Sequence, residues 1–364
     1  MNSGWRLAAA LIALGATALP AAAQQQPLPV YVPHGHVSGA LRSSGDRHMA
    51  RLMRAWETAF HRYQPGIEFA EGLHGTASGM YGLEMRTADV ALMGRRINPF
   101  ERYGSYERSW VYPVELEVAT GSVRTPGASP AFAIFVNRGN PLTKLTVGQL
   151  DGVFGAQRGG GWQALSWVER AARPASADIR TWGQLGIRGA LADEPIHVYG
   201  PALLGAGAVS FFQARVLQGG AMWNEDLREY DNLTKMLADL RRDPDGIAYA
   251  PLTYGNDGLK PIMLASTAAG PYVALTGKTV GDRSYPLARP VYIDYTIDDE
   301  RSQIANPRVD PKVDEFMRFV LSAQGQAIVR HDGTFLPLTA TVVRRQLQIL
   351  QSRGIPPEKV LLRE

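Results

Sequence analysis

The sequence predicts a two-lobed α/β chain, and three observations carry that expectation. Segments of strand and helix character alternate along most of its length, the order that gives largely parallel sheets with flanking helices. Residues 1–23 read as a leader, and the 341 left of 364 are too many for one compact core but suit two lobes. Glycine and proline are plentiful, 38 and 24, which fits a chain broken by many turns.

At the N-terminus Arg6 precedes the apolar run 7–19, and Ala21-Ala22-Ala23 supplies a small-residue cleavage pattern before Gln24. The run is shorter than the roughly 20 residues of a membrane span, so a cleaved signal peptide and a soluble periplasmic protein are expected. The chain has no cysteine, which excludes a disulfide and a lipidated cysteine. Its net charge of +4 is mild and scattered, too little to argue for nucleic acid.

Arg42 to Asp46 reads as a turn. Met49, Leu52, Met53, Trp56, Ala59 and Phe60 then mark one face of a helix that closes near Pro65-Gly66. A short strand at Ile67 to Phe69 leads to Gly75-Thr76-Ala77-Ser78-Gly79, which opens a helix through Met85. Asp89 to Met93 reads as a buried strand ending in Gly94-Arg95-Arg96, and Val114 to Val118 and Ala131 to Asn137 as further strands. A helix is expected over Thr146 to Phe154, irregular chain over Gln163 to Asp193, and a strand over Pro195 to Tyr199. Gly205-Ala206-Gly207 opens a helix through Leu217, and another covers Asn232 to Leu240 before the turn Asp243-Pro244-Asp245-Gly246. Strands follow at Ile247 to Ala250, Pro261 to Ala265 and Arg289 to Tyr295. One long helix is predicted from Pro311 to Val329, and a surface helix from Thr341 to Leu350.

Four separated segments resemble one receptor family: Ser44 to Met53, Ala88 to Arg96, Tyr199 to Phe212, and Tyr285-Pro286-Leu287-Ala288-Arg289-Pro290. Phe135-Val136-Asn137 with Asn140-Pro141-Leu142, Val153-Phe154-Gly155, and Phe319-Val320-Leu321-Ser322 with Gly325-Gln326 keep the same order and spacing. Together they are similar to the phosphate-binding receptors of bacterial ABC transporters over about Leu41 to Leu338. The resemblance implies the type II periplasmic-binding-protein fold, mixed sheets in two lobes joined by crossing strands, with a ligand in the cleft. The first lobe is expected to hold 27–123 and 282–364, and the second lobe 124–281. It also implies a small anion, phosphate or a relative, as ligand, a transporter permease as partner, and a monomeric receptor rather than an enzyme.

Such a site needs helix N-termini with free N–H groups, hydroxyls and an arginine. The first loop offers Asp46 and His48, with His48 where the family carries threonine. The second keeps Thr76 and Ser78, the surviving hydroxyls. The third has Gly94 where the family presents serine or aspartate, followed by Arg95 and Arg96 as candidate cations. In the fourth loop Phe211-Phe212 sets the register, so the family's Arg, Ser and Thr become Ala202, Ala206 and Ala208, with Gly207 between the last two. Losing three such bonds, at roughly 1–3 kcal/mol each, removes several powers of ten in affinity. Phosphate is therefore expected to bind more weakly than the micromolar range, and a larger or less charged ligand is a candidate for the vacated space.

Other chemistry finds little support. His34-x-His36 lacks a third ligand at useful spacing, so no metal is expected. No Gly-x-Ser-x-Gly elbow is present, no carboxylate pair is marked as acid and base, and Gly159-Gly160-Gly161 is not followed by the Lys-Ser/Thr of a phosphate loop. No cofactor is expected. The alternative to a transport receptor is a receptor-fold protein with a degenerate anion site, serving as a sensory or interaction module or binding a less polar solute.

Overall fold

The computed structural model describes residues 27–109, 112–163, 166–201, 207–220, 222–255, 257–297 and 309–352. The expected signal peptide, Ala202 and Ala206 lie outside them. In chain order the strands are β1 (Ser38–Gly45), β2 (Gly66–Gly72), β3 (Val90–Met93), β4 (Val114–Thr120), β5 (Phe132–Asn137), β6 (Lys144–Thr146), β7 (Gly161–Gln163), β8 (Ser166–Val168), β9 (His197–Pro201), β10 (Arg228–Tyr230), β11 (Gly246–Pro251), β12 (Leu259–Pro261), β13 (Met263–Ala265) and β14 (Pro290–Tyr295). The helices are α1 (Ala50–Phe60), α2 (Thr76–Glu84), α3 (Pro99–Ser109), α4 (Val147–Phe154), α5 (Gly207–Val216), α6 (Leu233–Arg242), α7 (Gly277–Gly281), α8 (Pro311–Val320), α9 (Ala323–Asp332) and α10 (Ala340–Ser352).

Two five-stranded mixed sheets organise the chain, in the orders β2-β1-β3-β14-β4 and β10-β9-β11-β5-β12. In the first, β1 runs parallel to β2 and β3, while β14 is antiparallel to β3 and β4. In the second, β9 runs parallel to β10 and β11, while β5 is antiparallel to β11 and β12. Each sheet is thus parallel on one side, where helical crossovers feed it, and antiparallel where the interlobe connection enters.

The first core packs α1, α8 and α9 against the first sheet. Trp56, Phe60, Phe316 and Phe319 are fully buried there, and the Trp56 indole N–H donates to the Gly325 carbonyl at 2.9 Å. Val90 and Val291 share this core although some 200 residues separate them in the chain. The second core is aromatic, with Phe212 stacked on Tyr249 at 3.8 Å and Phe132 and Phe154 edge-on to Tyr249. Tyr285 and Leu287 also pack into the second core.

Two crossing segments join the lobes. The chain leaves β4 through 121–131 into β5 and returns through Leu287 to Arg289 into β14. They run side by side, with Gly121 N–H donating to the Arg289 carbonyl at 2.6 Å and Phe132 N–H to the Leu287 carbonyl at 3.3 Å. A Cβ at Gly121 would strike the carbonyls of Ser129 and Arg289, so the close approach requires glycine. The first core thus draws on residues from before β5 and from β14 onward, and the second mainly on residues between Ala131 and Ala288.

The expected strand Pro261 to Ala265 is split between β12 and β13, which lie in different sheets, and the sequence does not predict α3. Two further differences have clear physical reasons. Arg42 to Asp46 is not a turn: residues to Gly45 form the end of β1, which lies between β2 and β3 in the first sheet. Its serines and glycines are poor strand formers, but Leu41, Ser43 and Gly45 alternate inward and its register with its neighbours decides the outcome. The long C-terminal helix is two. Ser322 caps α9 by accepting from Gly325 N–H at 3.2 Å, and the chain folds so closely that a Cβ at Gly325 would strike the Phe319 and Val320 carbonyls.

Candidate functional site

Loops at the carboxyl ends of β1 and β3, the first turn of α2 and the two crossing segments converge around Gly94. An ideal Cβ built there would lie 2.5 Å from Asp46 Oδ2, 3.3 Å from Ser129 Oγ and 3.4 Å from Thr76 Oγ1. Gly94 is glycine because the Asp46 carboxylate fills the place of its side chain. An acidic group thus sits beside position 94, carried by the residue that follows β1.

Asp46 is buried and caps the single 3-10 turn at Arg47–Met49. Its Oδ1 accepts from His48 N–H at 2.9 Å and faces His48 Nδ1 at 3.0 Å, leaving Oδ2 toward Gly94. The His48 ring is half-exposed and lies over Gly127, where a Cβ would come within 2.5 Å of its Cδ2. Gly127 has φ +76°, so any side chain there meets both strain and a clash.

The helix α2 opens without a side-chain cap, behind Gly75 at φ 121°. The first N–H groups of a helix have no partner within it, and those of Thr76 and Ala77 donate to no described residue. Thr76 Oγ1 likewise has no partner among the described residues and sits at the Gly94 floor. Ser78, the other surviving hydroxyl, turns back to donate to the Gly75 carbonyl at 2.8 Å. Thr76, Asp46 and Gly94 are brought together, and Ser78 stands behind them.

The two candidate cations are already engaged. Arg95 forms a two-pronged pair with Glu101 of α3, at 2.7 and 2.6 Å, and its alkyl stem approaches Gly207, where a Cβ would lie 3.2 Å from Arg95 Cδ. The stem brings the first lobe against the first turn of α5 in the second. Arg96 reaches Glu115 at 3.4 Å and lies over the Tyr292 ring, with its guanidinium carbon 5.9 Å from the centroid. Ala208 and Phe211 pack against the second core.

Two site residues escaped the sequence reading. Ser129 holds φ 45°, a left-handed conformation uncommon for a residue with a side chain, and its buried hydroxyl donates to the Gly94 carbonyl at 3.2 Å. Arg289 enters at the same point: its Nη2 approaches the Gly94 carbonyl at 3.4 Å, and its guanidinium carbon lies 5.2 Å from the Phe132 ring centroid and 5.7 Å from that of Phe211. Arg289 is 7% exposed. Burial lowers its pKa to about 10 while the Asp46 carboxylate works to raise it, so it stays a cation at neutral pH. Arg289 lies within the Tyr285 to Pro290 motif, whose resemblance points to the fold and not by itself to ligand chemistry.

Away from the cleft, His197, Asp243 and Asp245 place ligand-type atoms within 4.8 Å of one another. Asp243 Oδ2 already receives Tyr199 OH at 2.6 Å, faces His197 Nδ1 at 2.7 Å and has Arg228 at 3.3 Å. This is a saturated network tying β9, β10 and the turn before β11. Trp182 is fully buried, and Trp223 stacks beside Phe212.

Comparison with known proteins gives one direction. Residues 31–324 match the family model described as PBP superfamily domain. The phosphate-binding protein PstS of Pseudomonas aeruginosa is 28% identical over 348 residues, covering 95% of this chain and 98% of that protein. Among solved structures, PstS from Borrelia burgdorferi aligns with a TM-score of 0.53 at 17% identity, over 83% of this chain and 99% of its own. An ABC-type phosphate transport receptor from Vibrio cholerae aligns with 0.51 at 18%, over 81% and 99%. At these identities the structural likeness shows the fold.

Proposed function

We propose, for a chain that belongs to the PBP superfamily, a periplasmic receptor that captures a phosphate-class oxyanion in the interlobe cleft for an ABC transporter. The observation that carries the reading is the open first turn of α2, whose first two N–H groups have no partner among the described residues and whose Thr76 hydroxyl lies beside Gly94. A helix N-terminus with unspent donors favours an anion by hydrogen bonding and by its dipole. The relatives named for phosphate binding give the ligand class. A monomeric receptor and a membrane permease as recipient belong to the same reading.

Asp46 narrows the ligand. A carboxylate oxygen facing an anion site repels a fully deprotonated anion but accepts a hydrogen bond from one that carries a proton. Hydrogen phosphate meets that condition at neutral pH, whereas sulfate does not and a phosphate monoester is mostly deprotonated there. Thr76→Ala is expected to weaken phosphate by about 1 kcal/mol, roughly fivefold, in calorimetry on protein freed of ligand by unfolding and refolding. An unchanged affinity would remove the α2 turn from the site.

The degenerate-site alternative keeps one specific support, the alanines at 202, 206 and 208. It predicts no heat with phosphate, sulfate or a phosphate ester, which the same titration decides.

A further inference from the structure

We propose that Arg289, on the returning hinge segment, is the cation that binds the oxyanion, in place of the arginine that the second lobe lacks at Ala202. The inference rests on the receptor reading above and adds a residue to its site. Arg95 and Arg96 do not fit the role, because each is held by a carboxylate, Glu101 and Glu115.

Arg289 differs from them in how little holds it. A guanidinium carries five N–H donors and gains most from a planar oxyanion edge that takes two at once. Here Nη2 makes one long contact to the Gly94 carbonyl, and Nε is buried with no partner among the described residues. Phe132 and Phe211 cover the guanidinium and supply cation–π attraction, but rings accept no in-plane hydrogen bond. A buried cation left in this state is costly unless something completes its shell.

The position suits a ligand group. The Gly94 carbonyl that Arg289 approaches is the one to which Ser129 donates, beside the Asp46 carboxylate and the Thr76 hydroxyl. An oxyanion seated there would take the Thr76 and Ala77 N–H groups on one side and Arg289 on the other, with its proton toward Asp46. The hinge would then hold the charge, leaving the second lobe to contribute shape. The chain could then lack three polar side chains at 202, 206 and 208 and still bind an anion.

The test titrates inorganic phosphate into the ligand-free mature protein and its variants by calorimetry, with thermal melts to show folding. Arg289→Gln is expected to weaken phosphate at least 30-fold and to shrink the rise in Tm that phosphate gives the parent. Arg289→Lys keeps the charge but loses the fork, and an intermediate loss is expected. Arg96→Gln should stay within threefold of the parent. Phosphate affinity equal to the parent's in either folded Arg289 variant, or a loss in Arg96→Gln as large as in Arg289→Gln, would overturn the assignment. A parent protein that binds no oxyanion would instead overturn the receptor reading itself.

Discussion

Asp151→Ala is expected to lower the stability of the protein by about 3–5 kcal/mol, the range for removing one partner of a buried ion pair. Asp151 of α4 receives both terminal nitrogens of Arg158, at 2.6 and 2.5 Å, and all but a few per cent of both side chains is buried. Arg158 Nε also donates to the Ala171 carbonyl at 2.7 Å, which fixes the guanidinium plane. Arg173 reaches the same carboxylate at 3.4 Å and Asp178 at 2.6 Å, close enough as charges but without hydrogen-bond alignment to Asp151. Alanine at 151 would strand one buried cation and weaken the hold on a second. Denaturant unfolding of the variant measures the loss, and a change below about 1 kcal/mol would mean that water enters and solvates Arg158.

Asp294→Asn should act in the other direction, raising stability at neutral pH and flattening its pH dependence. Asp294 lies on β14 between Ala91 of β3 and Glu115 of β4, fully buried, and neither carboxylate oxygen has a partner among the described residues. Burial raises its pKa well above the usual carboxylate range. Glu115 and Glu101 add to that, while Arg102 and Arg95 oppose it. With a raised pKa, the folded protein holds a proton that the unfolded chain releases above about pH 4. Folding is therefore favoured at acidic pH, and stability falls as pH rises above that point, by up to about 1.4 kcal/mol per pH unit for one proton. Glu57, raised to about 7 by burial and by Glu71, adds a dependence of the same sign. The readout is thus the difference between variant and parent from pH 5 to 8. It should widen as pH rises, and a constant difference would show that Asp294 does not carry the proton.

Much of the fold was legible because its signals are local or ordered along the chain. The α1 face from Met49 to Phe60, the strand at β3 and the turn at Asp243 to Gly246 are periodicities and punctuation that survive without tertiary context. The β1 strand was not legible, since its serines and glycines form a strand only because β2 and β3 lie on either side. The candidate site was half legible for the same reason. Thr76 stands in a motif, so it could be found. That Asp46 occupies the side-chain space of Gly94 is a fact of two loops meeting, as is the arrival of Ser129 and Arg289 from the hinge. Arg95 and Arg96 looked available only because their partners Glu101 and Glu115 are six and nineteen positions further on and no pattern links them.

The most direct test of the oxyanion site is a paired calorimetric titration of the ligand-free mature protein with phosphate and with sulfate at pH 7. A site built from the α2 turn and Arg289, with Asp46 requiring a proton on the ligand and alanines on the second lobe, predicts saturable phosphate binding. Its Kd should lie above about 1 μM, since the losses at 202, 206 and 208 cost decades of affinity, and sulfate should bind at least tenfold more weakly. No heat with either anion, or sulfate bound as tightly as phosphate, would contradict the account.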